Sequence, residues 1–242
     1  MKFISITDPG MVRQRNEDVF FASSKPVGNL PNLYFVADGM GGEKAGMYAA
    51  KTAASIMLRV LEGSNETKPV AAIQKSIEQA NISLFKEAQT DPEKTRMGTT
   101  VVLATLEDEH LLVANVGDSR LYVSKESGIT QITRDHSFVD ELVRFGKVSE
   151  AEAKHHPKKH YITRAVGAEE TIDIDFFDYE LECNDLVLLC SDGLTNMVSD
   201  KEINSILRSE LSLTEKANLL KKRANEAGGS DNITVIIIDP EI

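Results

Sequence analysis

The sequence predicts an α+β fold, with antiparallel sheets and helices packed on their outer sides. Three observations carry this. Strand-like runs are followed by a helical pair, more strands, a second helical pair and a last strand, an order that does not alternate as βαβ units do. The strands are short and separated by turn residues, as in antiparallel meanders. A chain of 242 residues with 41% hydrophobic content can bury a large core without staples. No repeat, low-complexity tract or linker interrupts it, so a single domain over 1–242 is expected.

Lys2 to Thr7 alternates apolar and polar residues and reads as a half-buried strand, closed by the turn Asp8-Pro9-Gly10. Val19 to Ala22 is a second strand. A polar loop, Pro26 to Pro31, leads into a third that begins at Tyr34. From Ala45 to Leu61, apolar residues at 49, 50, 53, 56, 57, 60 and 61 give a helix with one buried face. Val70 to Ala88 repeats the pattern, so the two form one antiparallel layer. After a loop, Asp91 to Arg96, the runs Thr99–Leu106, Leu111–Val116 and Leu121–Val123 read as a meander.

Between Thr133 and Arg164 the character changes. Short helices are expected at Asp140–Phe145 and Ser149–His155, the second opened by a Ser149/Glu152 capping box. His136, His155, His156, His160, Lys154, Lys158, Lys159 and Arg164 make this a basic island in an acidic protein. Strands resume at Ile174–Tyr179 and Leu186–Cys190. Two helices with capping boxes at Ser199/Glu202 and Ser212/Glu215 follow, the second over Leu213–Ala227, and Ile233–Ile238 is the last strand.

The formal net charge of -11 argues against nucleic acid and anionic membranes as partners. No apolar run approaches the ~20 residues of a membrane span, and the N-terminus does not read as a signal peptide. Cys183 and Cys190 are expected to be buried free thiols. The expectation is a cytoplasmic monomer.

The third strand, Tyr34-Phe35-Val36-Ala37, runs into Asp38-Gly39-Met40-Gly41-Gly42. A carboxylate delivered from an apolar strand is costly unless paired or metal-bound. Glycines beside it let the backbone turn sharply and approach something small. The same grammar recurs at Gly117-Asp118-Ser119, at Ser191-Asp192-Gly193 and at Gly228-Gly-Ser230-Asp231-Asn232. Carboxylates gathered at one edge of sheets are hard-metal ligands, suited to Mg²⁺ or Mn²⁺.

With Arg13 and Asn16-Glu17-Asp18, these motifs resemble, in order and wording, the metal-dependent Ser/Thr protein phosphatases (the PPM family, type 2C) in their bacterial form. The resemblance runs nearly end to end and includes Gly98-Thr99-Thr100, Asn115-Val-Gly-Asp118-Ser-Arg120, Thr133-Arg-Asp135-His136-Ser137 and Thr163-Arg-Ala-Val-Gly167. It implies an α-β-β-α sandwich with two central antiparallel sheets flanked by pairs of helices. Asp38 would bridge two Mn²⁺ or Mg²⁺ ions. The Gly39 carbonyl would bind one, and Asp192 and Asp231 the other. Glu17 and Asp18 would hold metal-bound waters, and Asp118 with Asp192 matches a third metal site. Arg13 would clamp the substrate phosphate, and residues 137–164 match a flap.

The expected chemistry is hydrolysis of phosphoserine and phosphothreonine by a metal-bridging hydroxide, with no phosphoenzyme. The partners implied are phosphoproteins and a cognate Ser/Thr kinase. Met40 and Glu43 occupy positions where family members often carry His; a metal-bound water is therefore expected to protonate the leaving group. Lys158 and Lys159 are expected to help receive acidic phosphopeptides. The alternative is a catalytically silent binding or scaffold module. Such members lose metal carboxylates, and this chain keeps Asp38, Asp118, Asp192 and Asp231.

Overall fold

A computed structural model describes residues 1–41, 44–153 and 156–241. Gly42, Glu43, Lys154 and His155, which figure in the reading above, lie outside the described residues. The chain runs through β1 (Lys2–Asp8), β2 (Asp18–Ser23), β3 (Leu33–Met40), α1 (Ala45–Glu62), α2 (Pro69–Thr90) and a 3₁₀ turn at Pro92–Lys94. It continues through β4 (Gly98–Thr99), β5 (Val101–Glu107), β6 (His110–Val116), β7 (Arg120–Lys125), β8 (Gly128–Gln131), α3 (Phe138–Arg144) and α4 (Glu150–Ala153). The last part is β9 (Asp175–Glu180), β10 (Leu186–Cys190), α5 (Asp192–Thr195), α6 (Asp200–Leu207), α7 (Leu213–Glu226) and β11 (Ile233–Asp239).

Two antiparallel sheets form, one in the order β1-β11-β10-β7-β8 and one in the order β2-β3-β5-β6-β9, with β4 paired to the end of β3. Side chains alternate across each strand. Tyr34 and Val36 point between the sheets, where they meet Val102, Leu121, Val187, Leu189 and Ile236. Leu33, Phe35 and Ala37 point the other way, against Ala49, Ala53 and Met57 of α1 and Ile73 and Ile77 of α2. On the far side Tyr122, Leu188 and Ile237 pack against Leu207, Ala217 and Leu220 of α6 and α7. The architecture is the α-β-β-α sandwich. Strands buried on both faces explain why Leu33–Ala37 and Val235–Ile238 read as unbroken apolar runs.

The structure corrects several expectations. The meander ends at β6: β7 crosses to the other sheet and pairs with β10 and β8. The crossing is made at Gly117 (φ 107°), where a Cβ would stand 2.6 Å from the Thr100 side chain, so only glycine turns there. The Asp91–Arg96 loop contains the 3₁₀ turn, and β8 and α5, each only four residues long, carry too little periodicity to read. Cys183 is free but exposed, because Cys183-Asn184 forms the turn before β10, with Asn184 at φ 67°. Ser199 caps α6 through the Glu202 N–H, whereas Ser212 and Glu215 form the full reciprocal box. No helix among the described residues is long and apolar enough to cross a membrane.

Candidate metal centre

Antiparallel pairing brings five strand ends to one edge. Asp18, opening β2, stands opposite Asp38 near the end of β3. Gly117-Asp118 follows β6. Ser191-Asp192 follows β10, and the Ser191 N–H donates to the Thr234 carbonyl (3.1 Å), which sets Asp192 beside the Asp231-Asn232 turn before β11. Arg13, Glu17, Asp38, Gly39, Asp118, Asp192 and Asp231 line one cavity of about 620 Å³ between the sheet ends. Asp18 lies behind it, 8% exposed.

Each acid is held by its local structure. Asp18 Oδ2 accepts from Ser191 Oγ (2.7 Å) and Thr234 Oγ1 (2.6 Å), tying one sheet to the other. The backbone of Asp38 is clamped by Thr100: its N–H donates to Thr100 Oγ1 (3.0 Å), and its carbonyl accepts from the Thr100 N–H (2.9 Å) and Thr99 Oγ1 (2.9 Å). Asn232 anchors the 9–17 loop, accepting from the Glu17 N–H (2.8 Å) and donating to the carbonyls of Pro9 (3.0 Å) and Arg15 (2.8 Å). Asp192 Oδ2 accepts from Asn196 Nδ2 (2.8 Å), and Asp231 Oδ2 from Arg13 Nη2 (2.7 Å). Two residues past Asp118, Arg120 opens β7 and grips Asp135 through Nε and Nη2. His136 Nδ1 accepts from the Gly117 N–H (3.0 Å), while its Nε2 lies 3.2 Å from Asp175 Oδ2. The imidazole thereby holds the turn that presents Asp118. Burial lowers its pKa, which favours the neutral form.

Left to themselves these acids repel one another in a desolvated pocket. Burial first, then Asp192 and Asp231, lift the Asp18 carboxyl to about 7, against the bonds from Thr234 and Ser191. Burial and Asp231 lift Asp192 to about 6. Burial and neighbouring carboxylates push Asp38 and Asp118 well above the ordinary range, and burial raises Glu17.

Four buried carboxylate oxygens here have no hydrogen-bond partner: Glu17 Oε1, Asp18 Oδ1, Asp118 Oδ1 and Asp192 Oδ1. Leaving a buried acceptor unpaired costs ~1–3 kcal/mol, more for a charged one, so four together point to bound cations as the missing partners. The donors are all oxygen, which suits Mg²⁺ or Mn²⁺. Among the described residues no three His, Cys, Asp or Glu side chains are arranged to hold an ion by themselves. The partnerless oxygens and the all-oxygen donor set nonetheless fit divalent cations.

The backbone approaches closely under the cavity. A Cβ on Gly46, in the first turn of α1, would stand 2.7 Å from the Gly39 carbonyl oxygen and 3.0 Å from Glu17 Cδ. Gly46→Ala should therefore lower stability by ~1–3 kcal/mol, a fall of ~2–12 °C in Tm at ~2–4 °C per kcal/mol, and lower activity with it. Thermal unfolding and an aryl phosphate assay check this; an unchanged Tm and rate would contradict it.

The structure gathers Arg13, Glu17, Asp18, Asp38, Gly39, Asp118, Asp192 and Asp231, and leaves two of the expected residues outside. Lys158 and Lys159 do not line the cavity; Lys158 Nζ lies over the Phe138 (5.2 Å) and Tyr161 (5.8 Å) rings. From the same segment His160 and Ile162 line it instead. Sequence reasoning missed the positioning roles of Thr100, His136, Ser191, Asn232 and Thr234, all of which except Thr234 sit inside the quoted motifs.

The comparisons with known proteins bear on the whole of this arrangement. Residues 10–145 match the protein phosphatase 2C family model. The serine/threonine phosphatase stp of Listeria innocua is 38% identical over 240 residues, covering 96% of this chain and 93% of its own. The S. agalactiae serine/threonine phosphatase structure superposes with a TM-score of 0.91 at 33% identity, covering 98% of both chains. The catalytic domain of the serine threonine protein phosphatase PstP, solved with 2 manganese ions, superposes with a TM-score of 0.84 at 30% identity, over 98% of this chain and 96% of its own. The sandwich thus has counterparts along nearly its full length, and the chain belongs to the protein phosphatase 2C family.

Proposed function

We propose that the protein is a metal-dependent phosphatase that hydrolyses phosphoserine and phosphothreonine in proteins. The observation that carries the reading is the cluster of partnerless buried carboxylate oxygens beside an exposed guanidinium. Manganese in the related PstP structure supports divalent cations as the cofactor. Asp38, Asp192, Asp231 and the Gly39 carbonyl would hold two of them, Glu17 and Asp18 would act through ordered water, and Asp118 with Asp192 would take a third. When bound, such ions offset the charge of a phosphate dianion and lower the pKa of water.

The chain's own groups do the rest. Arg13, its side chain half exposed, uses Nη2 on Asp231; a guanidinium carries five N–H donors, so others remain for phosphate oxygens. Asp18 is locked between Ser191 and Thr234 and cannot swing towards substrate. The segment 137–164, closed at its base by the Ser137–Ile162 bridge, acts as a flap that brings His160 to the cavity. A Ser/Thr kinase would supply the substrates, and the enzyme would work as a monomer.

Arg13→Ala should reduce kcat/KM for a phosphothreonine peptide by ~10–100-fold, chiefly through KM, and Arg13→Lys should recover only part. The reading itself is tested with phosphoserine, phosphothreonine and phosphotyrosine peptides beside a phosphodiester. Release from the first two, with the others slower, supports it. A preference for the diester would favour a nuclease-type enzyme. No turnover of any by metal-loaded protein would favour a binding module.

A further inference from the structure

A groove of about 610 Å³ runs along the outer side of α1, lined by Lys44, Tyr48, Lys51, Ser55 and Arg59, with Ser83 of α2 on its far wall. Positions 44, 48, 51, 55 and 59 are three or four apart and form one stripe. Its three cations are exposed. Ion pairs found among the described residues involve none of Lys44, Lys51 and Arg59. The helix carries no acid before Glu62. Glu87, at the α2 side, is already engaged: Tyr48 Oη (2.7 Å) and Lys94 Nζ (3.0 Å) both donate to it. Lys94 also rests on the Tyr48 ring, 3.9 Å from its centroid, and fixes the tyrosine as a wall. In a chain of net charge -11 the groove is a local positive field.

The groove leads away from the cavity. Gly39 and Gly41 line the cavity, α1 starts at Ala45, and Gly46 rests on the Gly39 backbone. The Met47 N–H bonds the Glu17 carboxyl. Lys44 therefore marks the groove end nearest the phosphate site, and Arg59 lies ~22 Å further along at 1.5 Å per residue. An extended peptide covers that span in about six or seven residues. The Lys44–Lys51 gap, ~10 Å, matches carboxylates on every third residue of such a peptide at ~3.3–3.6 Å each, and the Lys51–Arg59 gap is only ~1–2 Å longer.

We propose that this groove binds an acidic stretch flanking the phosphorylated residue of a protein substrate. The inference rests on the phosphatase reading and adds a preference that the metal-lined cavity alone would not impose. It relocates recognition of acidic flanks from the 137–164 segment to α1.

The test uses K51E/R59E, two exposed positions remote from the cavity, with thermal unfolding to verify the fold. Three phosphothreonine peptides are compared: one with Glu at every third position on the N-terminal side, one with the same pattern on the C-terminal side, and one with Gln in place of Glu. p-Nitrophenyl phosphate is the baseline. At low salt the wild type should favour one acidic peptide about tenfold in kcat/KM. The preference should vanish in the variant and fade in high salt, while the Gln peptide and aryl phosphate stay within about twofold. No preference in the wild type, or an equal fall on all four substrates, would overturn the proposal. So would wild-type sedimentation with anionic-lipid vesicles that the variant loses while its peptide kinetics are unchanged; that outcome would make the groove a membrane contact. If the wild type hydrolyses neither the Gln peptide nor the aryl phosphate, it is the phosphatase reading that fails. Anisotropy of a labelled, unphosphorylated acidic peptide then decides the groove: binding lost in the variant sustains it, and equal or absent binding overturns it.

Discussion

Asp38→Asn should lower kcat/KM on a phosphothreonine peptide by ~10³-fold or more while leaving the fold intact. Asparagine keeps the shape, and the bonds that clamp position 38 run through its backbone to Thr99 and Thr100. What is lost is one anionic oxygen donor at the centre of the acidic cluster. Removing a single preorganised electrostatic contact to a transition state costs ~10²–10³-fold, and loss of a bound cation with it would remove more. The metal-free variant should be no less stable than metal-free wild type at neutral pH, because burial and the surrounding carboxylates already disfavour charge at Asp38. A variant that keeps activity within tenfold would remove Asp38 from the site.

Divalent cations should raise Tm by ~5–10 °C at neutral pH. A ligand at ~100 times its Kd adds ~2.7 kcal/mol, and a domain of this size gains ~2–4 °C per kcal/mol. The pH dependence follows from the raised carboxyls. A carboxyl whose folded pKa exceeds its unfolded value of ~4 binds more protons folded than unfolded between the two. Its contribution is fully present below ~4 and is lost as pH rises through the folded value, about 6 for Asp192 and about 7 for Asp18. Protein in EDTA should therefore lose stability between pH 5 and 7.5 at these sites. Metal stabilisation should grow over the same window, because cations bind the ionised form. Scanning unfolding with EDTA and with Mn²⁺ at pH 5.5 and 7.5 checks the sign. A metal shift larger at pH 5.5 would contradict it.

The acids that line the cavity were legible because local grammar and tertiary need coincide. Apolar strands end in Asp-Gly turns, and antiparallel pairing can only stack those ends at one edge. The long amphipathic helices were legible from their period. Hidden from the sequence was the route of β7: Leu121–Val123 looks the same whether it extends a meander or crosses between sheets, and the deciding contact is Gly117 against Thr100. The hydroxyls of Ser191 and Thr234 were hidden too, since their bonds to Asp18 span more than 170 residues of sequence. Lys158 and Lys159 show only their charge in the sequence; Lys158 lies over the Phe138 and Tyr161 rings, and the residues of this segment that reach the cavity are His160 and Ile162. The basic stripe of α1 was present at helical spacing throughout, but in the sequence it reads as an ordinary solvated face.

The most direct test is phosphate release from a phosphothreonine peptide by the purified protein, in EDTA and after adding Mn²⁺ or Mg²⁺. The acidic cavity between the sheet ends predicts no release in EDTA and full recovery with either ion. Release that continues undiminished in EDTA, or folded metal-loaded protein that releases no phosphate, would contradict it.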